Sequence, residues 1–269
     1  MCHAHGMSAR AWRTGMLLFS CDLKAAYFSW GVEDRISRTM GFRWRGRVFR
    51  FTCLPFGWKL APYSFIKGGR QILKKWRLQG PGNWGERCMR WGVRPQARCM
   101  SYIDDNAGAH KLFVLAVWMR NAMLVELKAL GFDLSKKGEL LPLLSLEFLG
   151  MIAHMACPVP SWHLPEREEA VLLQLAQELL DKSEAELQVL CKQAAKYVGK
   201  LVSASRAVPV SRLMFREVNA CIYGNKQPDW GGAAAMSQHG VEDMRWVSRC
   251  FQRWNAMGSP IWVRSMVVP

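Results

Sequence analysis

Two adjacent aspartates, Asp104 and Asp105, close a short strand-type segment in SYIDDNAGAH (101–110), and no other feature restricts the fold as much. Side-by-side carboxylates repel each other, so a chain either leaves them in solvent or sets a cation against them. A strand that ends on such a pair and then enters a Gly-containing turn lifts the carboxylates to a sheet edge and holds them there. A second segment, MLLFSCDL (16–23), is short and apolar, follows Thr14-Gly15, and reads as a buried strand. It too runs out at an aspartate, Asp22. Pairing of these two strands makes Asp22 and Asp104 converge. Oxygen donors at that spacing suit Mg²⁺ or Mn²⁺ and not zinc, and two such ions between carboxylates are the parts of an in-line phosphoryl transfer.

Charge points the same way. The net charge is +16. Residues 1–100 hold 19 Lys/Arg against 4 Asp/Glu, a net of +15, while residues 101–269 hold 18 against 17, a net of +1. A field so concentrated attracts polyanions, nucleic acid above all. In FRWRGRVFRF (42–51) aromatic residues alternate with arginines, the composition of a nucleic-acid track. Other classes are excluded. No apolar run reaches bilayer-spanning length, and no signal segment opens the chain, so no membrane partner is expected. The nine cysteines never fall as C-x-x-C, which argues against zinc ribbons and a secreted disulfide framework and for reduced, intracellular thiols.

Along the chain, residues 40–54 read as a hairpin about Arg45-Gly46. Residues 64–77 read as a helix, 78–96 as a Gly/Pro-rich loop, 97–104 as a strand, and 111–130 as a helix stopped by Gly131. Residues 145–155 form another strand region. Beyond Pro165 the pattern becomes helical. EREEAVLLQLAQELLDK (166–182) is acidic in its first turn, and Ser183 with Glu186 forms a capping box for a second helix. That helix carries Leu187, Leu190, Cys191, Ala194, Val198, Leu201 and Val202 on one face. Further helices are predicted around 209–223 and 240–256.

Five blocks stand in the order that reverse transcriptases use: CDLKAAYFSW (21–30), LPFGWKLAPYSF (54–65), YIDD (102–105), LGFDLSKKGELLP (130–142) and EFLG (147–150). The sequence resembles retrotransposon reverse transcriptases, most closely those of tyrosine-recombinase-type, DIRS-like elements. GKLVSASRAVPVSRLMFREV (199–218) also resembles the segment that follows the polymerase blocks in that group. The resemblance implies an α+β fold: a right-hand polymerase palm, an antiparallel sheet with helices, followed by a mostly helical thumb or connection region. Residues 1–155 would be the palm with partial fingers and 156–269 the thumb- or connection-like part.

The implied activity is RNA-directed DNA synthesis with two Mg²⁺ ions, or Mn²⁺, on an RNA or DNA template with a primer, using deoxynucleoside triphosphates. Asp22, Asp104 and Asp105 match the metal-binding catalytic carboxylates. Lys137, with Lys136 as the alternative one residue earlier, matches the lysine that protonates pyrophosphate. Tyr27 matches the aromatic beneath the incoming sugar, which excludes a 2′-hydroxyl. Phe56 and Gly57, with Lys59, match the nucleotide-supporting block. Tyr102, Phe148, Leu149 and Gly150 match primer- and template-side residues. The family also carries an upstream fingers region and a downstream ribonuclease H domain that this sequence does not include. The expectation is therefore a retroelement fragment or degraded copy, with an inactive, nucleic-acid-binding palm remnant as the alternative.

Overall fold

The computed structural model describes residues 12–81, 90, 92, 98–135, 141–186, 188–224 and 228–261, without the side chains of 184–186 and 188. The chain forms two compact units, Met1–Phe148 and Leu149–Pro269.

In the first unit, strand β1 (Leu17–Asp22) leads through a 3-10 turn (Ala26–Ser29) and a short helix α1 (Asp34–Ser37) into the hairpin β2 (Gly41–Trp44) and β3 (Arg47–Arg50). Arg45 and Gly46 take φ of 47° and 76°, the doubly left-handed turn that matches strand twist. Helix α2 (Ala61–Gln79) follows, with a proline in its first turn where a missing N–H is harmless. Then come β4 (Arg98–Tyr102), β5 (Asp105–His110), helix α3 (Phe113–Ala129) and β6 (Ser145–Phe148). Gly131 stops α3 with φ 85°. Buried Leu115, Met119, Met123 and Leu127 run down one stripe of α3, four residues apart, against the sheet.

The sheet differs from expectation at its centre. Its order is β1-β5-β4, all antiparallel, so the strand ending in Tyr102 does not pair directly with the strand ending in Asp22. The segment read as a Gly-containing turn is itself the middle strand. The chain reverses over Ile103 and Asp104 alone, and Tyr102 faces Asp105 across the hairpin. Asn-Ala-Gly-Ala lacks strand-favouring side chains, but packing selects it. Phe19 lies opposite Gly108, and a Cβ on Gly108 would fall 2.3 Å from Phe19 Cζ. The ring fills the space a side chain would need. Phe19 is 1% exposed within the core between the sheet and helices α2 and α3.

The second unit opens with β7 (Met151–His154) and β8 (Ser161–His163), an antiparallel pair. Helix α4 (Glu166–Glu186) begins after Pro165 and carries Glu166, Glu168 and Glu169 in its first turn, as the sequence predicts. It does not stop at residue 182. Ser183 is buried inside it and donates its hydroxyl to the Leu180 carbonyl at 3.0 Å, so it caps nothing. A short strand β9 (Gln188–Leu190) intervenes, and the next helix, α5 (Cys191–Ala204), starts at Cys191. Of the predicted face, Cys191, Ala194, Val198 and Leu201 are buried, while Leu190 and Val202 are exposed and Leu187 lies outside the described residues. Tyr197 joins the buried side instead.

The chain continues through α6 (Ser211–Met214), α7 (Arg216–Tyr223), β10 (Ala233–Ala235) paired with β9, α8 (Gln238–Met257) and β11 (Ser259–Pro260) paired with β8. The core gathers Leu172, Ala176 and Leu179 of α4, Tyr197 and Leu201 of α5, and Val247 and Phe251 of α8. Asn255 ties the end of α8 to the chain after β8: its side chain accepts from the Leu164 N–H at 2.7 Å and donates to the Leu164 carbonyl at 3.0 Å. No described helix is long and apolar enough to cross a membrane.

Gly108→Ala forces its methyl into the Phe19 ring and is expected to destabilise the protein by about 1–3 kcal/mol, an overpacking cost. Urea unfolding measures it. Adding Phe19→Leu to Gly108→Ala is expected to restore part of the loss, because the clashing ring is gone.

Candidate active site

Strand pairing sets the carboxylates. Asp22 is the last residue of β1 and stands directly across from Asp105, the first residue of β5. Directly paired residues share a face, so Asp22, Asp105 and Tyr102 project to the same side of the sheet, away from the side on which Phe19 and Cys21 enter the helix-covered core. Asp104 occupies the turn, and its carbonyl accepts a hydrogen bond from the Leu23 N–H at 3.1 Å. The three aspartates are thus carried to one end of one sheet by backbone pairing, and all three are half-buried. The adjacent carboxylates of the sequence separate, one into the turn and one into the strand.

The turn is strained. Ile103 has φ 51°, in the left-handed region that a β-branched residue strongly disfavours. Such strain persists only where the surroundings over-determine the backbone, and it clusters at functional sites. The restraint is visible. Asn106 is 5% exposed, and its Nδ2 donates to the carbonyls of Cys21 and Asp104, each at 3.3 Å. One amide therefore clamps the turn to the end of β1. Sequence reasoning missed Asn106, because its amide acts on backbone carbonyls that no side-chain motif encodes.

The aromatic cluster comes next. Ala25, at φ 50°, turns the chain after β1 into the 3-10 turn that carries Tyr27. The Tyr27 ring meets Phe56 and Phe65 edge-on, with centroids at 5.1 and 5.4 Å. Burial, then the neighbouring Asp104 and Tyr102, push the Tyr27 hydroxyl pKa up, so the phenol stays protonated and lies within electrostatic reach of Asp104. Leu54 and Pro55 are buried and anchor the loop, Phe56 is exposed, and Gly57 has φ 85° before α2 begins. Tyr27 and Phe56 are therefore brought together beside the aspartates. Lys59 is exposed one turn ahead of α2.

The remaining candidates lie elsewhere. Phe148 is buried at the end of β6 with its ring edge-on to Trp12, and Leu149 and Gly150 form a reversal with φ 54° and 71°. Lys136 and Lys137 lie outside the described residues. The segment leading to them runs beside β1, since the Ser135 N–H donates to the Asp22 carbonyl at 2.8 Å and the Lys24 N–H to the Asp133 carbonyl at 2.8 Å.

Behind the carboxylates, burial pushes the Cys21 and Cys99 thiols up to about 12. Among the described residues no three His, Cys, Asp or Glu side chains gather closely enough to cage a metal ion by themselves. That does not conflict with Mg²⁺, which binds through one or two carboxylates completed by water and substrate phosphates and not through an all-protein cage. The donor set at this edge, carboxylates alone, has the chemistry of a hard-cation site.

No protein-family model matches the sequence, and no curated protein does. Solved structures do. The foamy viral protease-reverse transcriptase in complex with RNA/DNA hybrid superposes with a TM-score of 0.65 at 15% identity over 94% of this chain and 29% of that one. The same protein in complex with dsDNA gives 0.62 at 15% identity, over 95% and 45%. A foamy viral protease-reverse transcriptase dRH in complex with double-stranded DNA gives 0.61 at 13% identity, over 90% and 36%. This chain thus spans under half the length of those it matches. At such identity the likeness shows the fold: α+β and reverse-transcriptase-like, consistent with a palm followed by a mostly helical region.

Asn106→Leu removes the Nδ2 that bridges the Cys21 and Asp104 carbonyls, leaving Asp104 with the Leu23 N–H alone among the donors described. It is expected to cost about 1–3 kcal/mol, the range for leaving buried polar groups unpaired, and to speed hydrogen exchange at the Leu23 amide before global unfolding. Amide exchange read by NMR or mass spectrometry checks it; unchanged Leu23 protection removes the clamp.

Proposed function

We propose that this chain is the polymerase portion of a retroelement reverse transcriptase, an RNA-directed DNA polymerase that adds deoxynucleotides to a primer 3′-end. The observation that carries the reading is the register that sets Asp22 opposite Asp105 with Asp104 in the adjoining turn. The solved relatives, bound to DNA and to RNA/DNA hybrid, support nucleic acid as the partner. The YIDD block and the order of the other blocks support a retroelement origin, nearest to DIRS-like elements.

In this reading residues 1–155 form the palm with partial fingers and 156–269 a thumb- or connection-like region. Asp22 and Asp104, with Asp105, would hold two Mg²⁺ ions. When bound, those ions supply activation of the primer hydroxyl and neutralisation of phosphate charge. The chain's own groups do the rest. The Asn106 clamp and β1–β5 pairing hold the carboxylates in place, Tyr27 sets the floor of the sugar site on Phe56 and Phe65, and Lys137 or Lys136 delivers a proton to pyrophosphate. Lys59 contacts nucleotide phosphate, and Tyr102 with Phe148–Gly150 borders the primer.

A second reading is a palm that binds nucleic acid without polymerising. The net charge of +15 over residues 1–100, which suits nucleic-acid binding whether or not the chain polymerises, supports it. Primer extension on purified protein with Mg²⁺ separates the two.

Asp22→Asn and Asp104→Asn are each expected to lower extension by on the order of 10²-fold or more, the effect of removing one group that stabilises transition-state charge, with melting temperature unchanged or raised. Comparable extension by either variant sinks the carboxylate assignment.

Tyr27→Val opens space beneath the sugar. It is expected to raise ribonucleotide relative to deoxynucleotide incorporation by roughly tenfold or more, about the discrimination available from one steric contact. A tyrosine serving only as packing would instead lower both rates together along with the melting temperature.

A further inference from the structure

The hairpin β2–β3 stands apart from every other element of the first unit, because all ten residues from Gly41 to Arg50 are exposed. A two-stranded ribbon with no covered face is marginal by itself, and this one spends large aromatic side chains on solvent. Alternation sorts them. The pairs Phe42↔Phe49 and Trp44↔Arg47 share one face, and Arg43↔Val48 and Gly41↔Arg50 share the other. On the first face Phe42 stacks on Phe49 at 5.6 Å with an interplanar angle of 21°, and Phe51 adds a tilted ring at 5.2 Å from Phe42. Trp44 is 59% exposed and carries the Arg45 guanidinium 5.5 Å from its ring centroid.

At the base of the second face Arg50 pairs with Asp34 of α1 at 2.7 Å. Arg43, Arg45 and Arg47 make no ion pair among the described residues. The base of the hairpin is continuous with the site: Val32 N–H donates to the Thr52 carbonyl and Leu54 N–H to the Trp30 carbonyl, each at 3.0 Å. The strand ends that frame Tyr27 and Phe56 therefore also frame this ribbon.

We infer that the Phe51–Phe42–Phe49–Trp44 face, flanked by unpaired arginines, binds single-stranded nucleic acid by stacking its bases. The occupant follows from complementarity. Flat exposed rings at stacking orientation take π-faces, and the surplus of guanidinium charge takes phosphate; only an unpaired strand offers both together. A duplex hides its base faces, and an apolar protein surface leaves three arginines without anions. The inference deepens the polymerase reading and rests on it for one point, that the strand held is the unpaired template ahead of the primer end.

The test is fluorescence anisotropy on the full chain, without nucleotides or divalent cations. Three probes are used: an oligothymidylate of about 12 nucleotides, within the span of such platforms, an abasic strand of equal length, and a blunt duplex. Wild type is expected to bind the base-bearing strand roughly tenfold more tightly than the abasic one, the worth of about one stacked base. Trp44→Ala with Phe49→Ala is expected to erase that difference while leaving the abasic strand and duplex unchanged, and Trp44→Tyr with Phe49→Tyr to retain it.

Equal wild-type affinity for base-bearing and abasic strands overturns the inference, as does a double variant that loses all three probes alike or none. So does a wild-type dimer that becomes monomeric in the double variant with its strand affinity intact, which gives the face to a second copy. A chain that passes this test but never extends a primer loses the polymerase reading and keeps the platform. Asp22-dependent extension alongside indifference to the double variant has the opposite meaning.

Discussion

The antiparallel register of β1 against β5 is the constraint on which the rest of the first unit depends. Side chains alternate with period two along a strand, so a slip of one residue would turn Asp22 into the core and Cys21 out to the carboxylate edge. The register is held from both sides. On the covered side Phe19 fits only against Gly108. At the open end Asn106 and the Leu23–Asp104 backbone bond close the turn. Steric fit at one end and hydrogen bonding at the other fix a single alignment that neither would specify alone.

Catalytic candidates placed in this way need little from loops. Asp22 and Asp105 are strand residues, Asp104 lies in a two-residue turn, and Tyr27 rests on a ring cluster anchored by Phe65 of α2. Sites on regular elements hold geometry more tightly than sites on long loops. The strain at Ile103 fits this picture, because a left-handed β-branched residue survives only in a turn that its neighbours compel.

Much of this was legible in the sequence, and the failures have physical reasons. The carboxylate-bearing strand β1, the Arg45-Gly46 hairpin, the helix ended by Gly131 and the acidic start of α4 all rest on local rules, and each appears as expected. The central strand β5 was hidden because Asn106-Ala107-Gly108-Ala109 carries turn-type and small residues. Its strand character comes from Phe19, distant in sequence. Ser183 looked like a cap because the Ser-x-x-Glu spacing is local, yet the helix passes through it and burial makes its hydroxyl bond backwards. The sequence singled out Asp22, Asp104 and Asp105, which backbone pairing brings to one end of the sheet, but it did not single out Asn106, which acts through backbone carbonyls that no side-chain motif encodes.

Cys21 gives the arrangement a further property. It directly precedes Asp22, yet its sulfur belongs to the opposite, covered face, and burial holds it as a thiol up to about pH 12. Only a thiolate binds soft metals or attacks electrophiles well. The edge that bears the aspartates therefore offers a cation oxygen donors and no thiolate, and the strand beneath it keeps its sulfur, one residue from the carboxylate, in the less reactive thiol form.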